Sequence, residues 1–250
     1  MHRWTRDSST LAILVCTFAV GIEATHAEID PSIRTYAAAY QVEYKGRVVG
    51  RSEISVRYDD MGRYRFESTS QFRGFLRFLL PNPLVERSEF ASEAGVVTPY
   101  SFSHEDGSRR GSDNYDIAFD WSDGIATITT SDGVNAHSIM PGTLDPGAMQ
   151  VQVMLDMSQS SPLGSFTLAH ENGLRIYDYL ANDDEIIEVP LGEFSTNVFV
   201  QEREGSSRQT FLWAAPELHM LPVRIEQKRN GESRAVLQLE SVEWLGEPIE

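Results

Sequence analysis

The sequence predicts an all-β, mainly antiparallel fold: a curved sheet or half-barrel with one or two short helices covering its concave face. Three observations carry this expectation. Apolar and polar residues alternate over one stretch after another, as in Tyr40-Gln41-Val42-Glu43-Tyr44, which is the period of a strand with one buried face. Asp106-Gly107, Asp123-Gly124, Asp132-Gly133, Asn172-Gly173 and Asn230-Gly231 punctuate the chain with residues that supply the positive φ of tight hairpins. Two segments, one around Phe75 and one after Asp145, break the alternation. A fully packed sandwich is the alternative arrangement of such strands.

The chain opens on an expected export signal, residues 1–27. Arg3 and Arg6 give a positive start, Leu11 to Ile22 form an apolar run, and Thr25-His26-Ala27 offers a small-x-small cleavage site. The run is shorter than the roughly 20 residues that cross a bilayer. A cleavable signal is therefore favoured over an uncleaved anchor. The mature chain would start near Glu28 and form one β-rich domain over 28–250, with no transmembrane segment after cleavage. Cys16 is the only cysteine and lies inside the signal, and Val15 before it does not suit lipoprotein processing. A mature chain without thiols has no disulfide and no cysteine nucleophile or ligand, and it suits the periplasm.

After a lead-in from Glu28 to Arg34, expected to be flexible, the strands follow in order. Tyr40 to Tyr44 precede a turn at Lys45-Gly46, Ile54 to Tyr58 precede a turn at Asp59-Asp60-Met61-Gly62, and Tyr64 and Phe66 continue the pattern. Gly74-Phe75-Leu76-Arg77-Phe78-Leu79-Leu80-Pro81 is a short apolar element stopped by its prolines. Asp145-Pro146 then opens a helix, because Asp145 can cap the free N–H groups and Pro146 is preset for the first turn. Met149, Val153, Met154 and Met157 recur at helical spacing and predict one methionine-rich face from about Asp145 to Met157. Near the end, FLWAAPELHMLPVRIE (211–226) reads as a hairpin. Pro216 ends one strand, Glu217 to Leu221 connect, and Pro222 starts the next, with Val223 and Ile225 facing away from Arg224 and Glu226. Residues 247–250 read as a solvated tail.

Charge excludes one class of partner. The chain carries 37 acidic against 21 basic residues, a net charge of −16, so nucleic acid would be repelled. Nonspecific attraction to anionic lipid surfaces is disfavoured on the same ground.

The search for chemistry is negative. His104-Glu105 and His170-Glu171 begin like a metalloprotease motif, but Ser108 and Leu174 stand where the second histidine is needed. Both histidines sit beside turn signals and read as exposed loop residues. There is no G-x-S-x-G elbow, P-loop or dinucleotide fingerprint. Acid pairs such as Asp59-Asp60, Asp183-Asp184 and Asp113 with Asp116 make a hydrolase with dispersed acids formally available, yet they read as solvated turns. Arg109-Arg110 reads as an exposed hairpin tip. No catalytic residue, metal ligand or cofactor is assigned.

What remains is apolar. Phe75, Leu76, Phe78 and Leu79 on one element, facing Met149, Val153, Met154 and Met157 on the other, form a candidate ligand-binding cleft. Trp121 and Trp213 complete the set, Trp213 as a ring closing one end. The competing reading is ordinary core.

Ordered along the chain are Tyr40-Gln41-Val42-Glu43-Tyr44-Lys45-Gly46 with Val49-Gly50, Phe119-Asp120-Trp121, Asp145-Pro146, Pro190-Leu191-Gly192-Glu193-Phe194, and Leu212-Trp213-x-x-Pro216 with Leu221-Pro222-Val223-Arg224. Together these resemble DUF3108, a bacterial family of exported proteins known only as a domain of unknown function. The resemblance implies a periplasmic β-rich protein. Its W…LPVR element is also similar to that of lipoprotein-carrier folds, in which a curved sheet holds acyl chains under helices. No catalytic residues come with the family. The expectation is a noncatalytic periplasmic protein that binds a lipid, an acyl chain or another apolar molecule, or alternatively an envelope protein partner.

Overall fold

The computed structural model describes residue 30, residues 32–59, residues 62–159 and residues 163–246. The export signal, the mature start, Asp60 and the tail 247–250 lie outside them. Strands β1 (Tyr36–Tyr44), β2 (Arg47–Tyr58) and β3 (Tyr64–Phe72) lead to the one-turn helix α1 (Leu76–Leu79). Then come β4 (Leu84–Glu93), β5 (Val96–Glu105), β6 (Tyr115–Asp120), β7 (Ile125–Thr130) and β8 (Gly133–Ser138). The short β9 (Thr143–Leu144) precedes α2 (Pro146–Ser158), β10 (Ser165–His170), β11 (Gly173–Ala181), β12 (Glu185–Val189) and β13 (Gly192–Glu202). The chain ends with β14 (Arg208–Ala215), the single 3-10 turn Pro216–Leu218, β15 (Leu221–Arg229) and β16 (Glu232–Trp244).

The strands form one sheet in the order β8-β7-β6-β5-β4-β3-β2-β1-β16-β15-β14-β13-β11-β10-β9, with β12 hairpinned onto β13. All pairings are antiparallel except that of β9 with β10. Four of the five predicted turn dipeptides join consecutive strands directly, whereas Asp106-Gly107 opens a longer loop over 106–114. Register shifts in the β1–β16, β1–β2, β4–β5, β14–β15 and β15–β16 pairs add the bends that curl a long sheet. The sheet does not close into a barrel. Its two flanks nevertheless meet side chain to side chain, with Tyr115 of β6 at 5.3 Å from the ring of His170 of β10 and Ala169 in one cluster with Phe102, Ile117 and Ile128.

Helix α2 fills the curl. Asp145 caps it as the sequence predicts, accepting from the N–H groups of Gly147 at 2.8 Å and Ala148 at 2.9 Å, while Ser88 of β4 donates to its second oxygen at 2.8 Å. Pro146 takes the first helical position. Gly147 is required by closeness: a Cβ there would lie 2.7 Å from both Phe66 and Ser88. The single methionine-rich face needs correcting, because Gly147, Ala148, Met149, Val151, Val153, Leu155 and Met157 are all buried. At 100° per residue these positions surround most of the helix. It is therefore an enclosed core helix in a cluster with Tyr40, Tyr64, Phe66, Phe90 and Leu239.

The lead-in is anchored over its described residues. Asp30 is buried and its carboxylate accepts from the N–H and hydroxyl of Ser32, the hydroxyl of Ser92 and the N–H of Gly95, while the hydroxyl of Tyr64 donates to its carbonyl at 3.0 Å. Burial pushes this carboxyl up, but the donated bonds outweigh it and hold the pKa down at about 2. The bonds from Ser92 and Gly95 join residues more than 60 positions apart. Local sequence pattern cannot show them.

Candidate binding cleft

The cleft opens where the ends of β1, β2 and β16 converge with the second half of α2. Tyr36 faces both Val56 and Trp244 in register, and its ring meets that of Trp244 edge-on at 5.9 Å. Met154 projects from α2 toward them, with the Tyr36 hydroxyl 3.9 Å from its sulfur. The Asp30 latch sets Ile33 and Arg34 on one side. The Pro216 turn closes the other.

That turn is the centre of the FLWAAPELHMLPVRIE stretch, and it follows the expected plan. Pro216 lacks an N–H and ends β14. His219 and Met220 then take left-handed backbone, φ 52° and 62°, held by bonds from His219 N–H to the Pro216 carbonyl and from Met220 N–H to the Ala215 carbonyl. Two consecutive non-glycine residues in this region are uncommon and mark a backbone held by its surroundings. The consequence is placement: the His219 ring stands edge-on to Trp244 at 5.1 Å.

The resulting cleft holds about 440 Å³, within the usual range of about 300–1,000 Å³ for small-molecule sites. Ile33, Tyr36, Val56, Val151, Met154 and Trp244 supply apolar walls, and Ser32, Arg34, Ser158, Gln159 and His219 supply polar groups. Among the described residues no carboxylate lines it. Burial, and secondarily the positive charge of Arg34, lower the pKa of His219. The ring is therefore biased toward its neutral form, and Arg34 is the cleft's cation.

The ten candidate residues of the sequence reading do not converge here. Met154 alone lines this cleft, while Met149, Val153 and Met157 are buried in the main core. Trp213 is also core: its Nε1 donates to Glu185 at 3.1 Å and its ring lies under the Arg224 guanidinium at 5.0 Å. It closes no end of the cleft. Trp121 packs on Phe119 at the second cluster and donates to the Pro99 carbonyl. Leu76, Phe78 and Leu79 lie on α1 and Phe75 precedes it; the helix buries none of its residues and does not cover α2. Four residues of helix can reach only the adjacent β1–β2 hairpin, where Phe75 meets Tyr44 at 6.2 Å. The sequence reading missed Tyr36, Arg34 and Trp244, whose convergence depends on the curl, and treated His219 as a plain loop residue.

Two histidines also need correcting. His104 and His170 are not exposed loop residues but partly buried members of β5 and β10, and both rings meet Tyr115, His104 stacked at 5.2 Å and His170 tilted at 5.3 Å. Burial pulls the His104 pKa down, but its 3.1 Å bond to Glu86 and the negative charges of Glu86, Asp106 and Glu171 together outweigh that and leave it raised. Burial drives His170 down to about 4. Among the described residues no group of three or more His, Cys, Asp or Glu could hold a metal ion.

The two carboxyls raised by burial do not form a hydrolase pair. Burial raises the carboxyls of Asp145, to about 7, and of Asp156, but they stand eleven residues apart on one helix, about 16 Å. That exceeds the separation at which two carboxyls flank a glycosidic bond, about 5–9.5 Å. A second, more open depression of about 520 Å³ on β3–β7 holds Glu89 and Asp116, and Glu89 is paired to Arg65 at 2.6 Å. Among the described residues no helix is long and apolar enough to cross a membrane.

No curated protein matches the chain in sequence. Among solved structures, a β-barrel-like protein of the DUF1849 domain from Brucella abortus is similar at a TM-score of 0.51 and 6% identity, covering 84% of this chain and 98% of that one. The MucA/MucB complex of Pseudomonas aeruginosa gives 0.38 and 11%, covering 88% of this chain and 55% of that one. An exported protein of YmcC-like fold from Bacteroides fragilis gives 0.30 and 10%, covering 84% and 94%. The first likeness supports the curled antiparallel sheet. A model of a protein family of unknown function matches residues 39–238, and the chain belongs to that family, DUF3108.

Proposed function

We propose that the protein is a noncatalytic periplasmic binding protein that holds one apolar chain bearing an anionic head, such as a fatty acid or the acyl portion of an envelope lipid. The observation that carries this reading is the cleft itself: apolar walls around Tyr36, Met154 and Trp244, with Arg34 as the cation among its polar groups. An acyl chain would replace water against the walls, where burial contributes about 25 cal/mol per Å². Its head would meet Arg34. A cation and no carboxylate among the described lining residues favour an anion over a cation as ligand.

Native mass spectrometry of the protein purified gently from the periplasm tests the proposal. A co-purifying species with the mass of a fatty acid or lipid, removed by organic extraction, is the expected result. A ligand-free protein that also ignores added fatty acid would sink the proposal and favour a packed interaction module.

A further inference from the structure

Because β1 to β6 form an antiparallel meander, the β1–β2, β3–β4 and β5–β6 connections lie at one end of the sheet, opposite the cleft. Along β1 that separation is about 27 Å. At this end α1 and the residue before it expose three large apolar side chains, Phe75 at 56%, Phe78 at 80% and Leu79 at 66%. On these three connections the charge is mainly of one sign. Lys45 and Arg47 flank the first connection, Arg73 and Arg77 the second, Arg109 and Arg110 the third, and all six are exposed.

Contacts tie the three connections together. The Lys45 ammonium sits 5.5 Å from the centre of the Tyr44 ring, which in turn meets Phe75. Arg73 N–H bonds the Val49 carbonyl, and Asn82, just past α1, bonds the carbonyls of Gly107 and Ser108 beside the arginine pair. Among the described residues none of the six cations forms an ion pair. No acid occurs in 44–52, 68–85 or 107–112. Asp106 is buried and accepts from Ser108 and Asp113, which leaves Asp113 as the exposed acid of its loop. The turn acids Asp59, Glu93, Asp120, Asp123 and Glu217 belong to connections at the other end, whereas Asp132, Glu171, Glu204 and Glu232 lie on the remaining connections of the same end, where Arg203, Arg208 and Arg229 offset them.

We propose that this basic, apolar end docks on an anionic membrane surface. Phe75, Phe78 and Leu79 enter the interface, and the six cations lie among the lipid phosphates. The net charge of −16 argues against such docking only if charge is averaged over the molecule. Salt screens interactions beyond about 8–10 Å, so the bilayer responds to the near end and not to the acids across the sheet. Apolar insertion together with basic residues is the combination that gives stable peripheral binding. Docking does not depend on what the cleft holds.

Co-sedimentation of the signal-cleaved protein with phosphatidylcholine vesicles, with and without phosphatidylglycerol, tests the proposal. The expected result is binding that needs phosphatidylglycerol, weakens as salt is raised, and falls at least about tenfold in Phe78→Ser/Leu79→Ser and in Arg73→Gln/Arg77→Gln. Unchanged thermal unfolding checks that the variants remain folded. Absence of binding by the wild-type protein, or equal binding by both variants, overturns the proposal. A photo-crosslinker at position 78 that captures an envelope protein, with no vesicle binding, also overturns it and assigns the end to a protein partner.

Discussion

The two helices are both apolar and have opposite environments. Helix α2 is thirteen residues long and surrounded by the sheet, with seven residues buried, whereas α1 is four residues long and buries none. The difference lies in position and length. Helix α2 follows β9 into the concave side, where Gly147 lets its first turn press on Phe66 and Ser88. Helix α1 spans the β3–β4 connection at the sheet's end and can only lean on Tyr44. A short apolar run therefore identifies core only when the topology carries it inward.

That contrast can be broken or sharpened by substitution. Phe66→Ala, at a fully buried ring beside α2, should cost about 3–5 kcal/mol in denaturant unfolding. A loss below 1 kcal/mol would mean that α2 is not packed as described.

Asp145 gives α2 a pH signature. Its folded pKa is raised from 3.8 to about 7, so between those values the native state keeps a proton that the unfolded chain releases. Stability from this group is complete below 3.8 and is lost as pH rises toward 7, by at most a few kcal/mol at about 1.4 kcal/mol per unit. Asp30 has the opposite sign: its pKa is lowered from 3.8 to about 2, so its stabilisation is present above 3.8 and is lost as pH falls through 2. Melting curves of Asp145→Asn and Asp30→Asn against pH should diverge from wild type in these two separate windows. Parallel curves would remove both assignments.

Gly147→Ala should cost about 1–3 kcal/mol through overpacking against β3 and β4. At the other helix, Phe78→Ala should change stability by no more than about 0.5 kcal/mol, the range of ordinary surface positions. A large loss there would place α1 in a core that the structure does not show.

The same contrast shows what the sequence could reveal. Asp145-Pro146, the hairpin dipeptides and the Pro216 turn are local signals, and the observed elements follow them because capping, positive φ and a missing N–H act within a few residues. The predicted facing of α1 and α2 failed because apolar periodicity says what is buried or unburied nowhere, only what could be. Of the cleft only Met154 was legible, and the histidine of the hairpin turn read as a plain loop residue. Tyr36, Arg34 and Trp244 come together through strand register and the Asp30 latch, between residues as many as 208 positions apart in the register of β1 with β16.

Titration with a fluorescent fatty acid tests the cleft most directly, comparing wild type with Ser158→Trp at its exposed edge and with Phe78→Ser at the far end. The account requires saturable one-site binding by wild type and Phe78→Ser, and binding weaker by at least about tenfold when the indole blocks the cleft. No saturable binding, or equal affinity in Ser158→Trp, would contradict it.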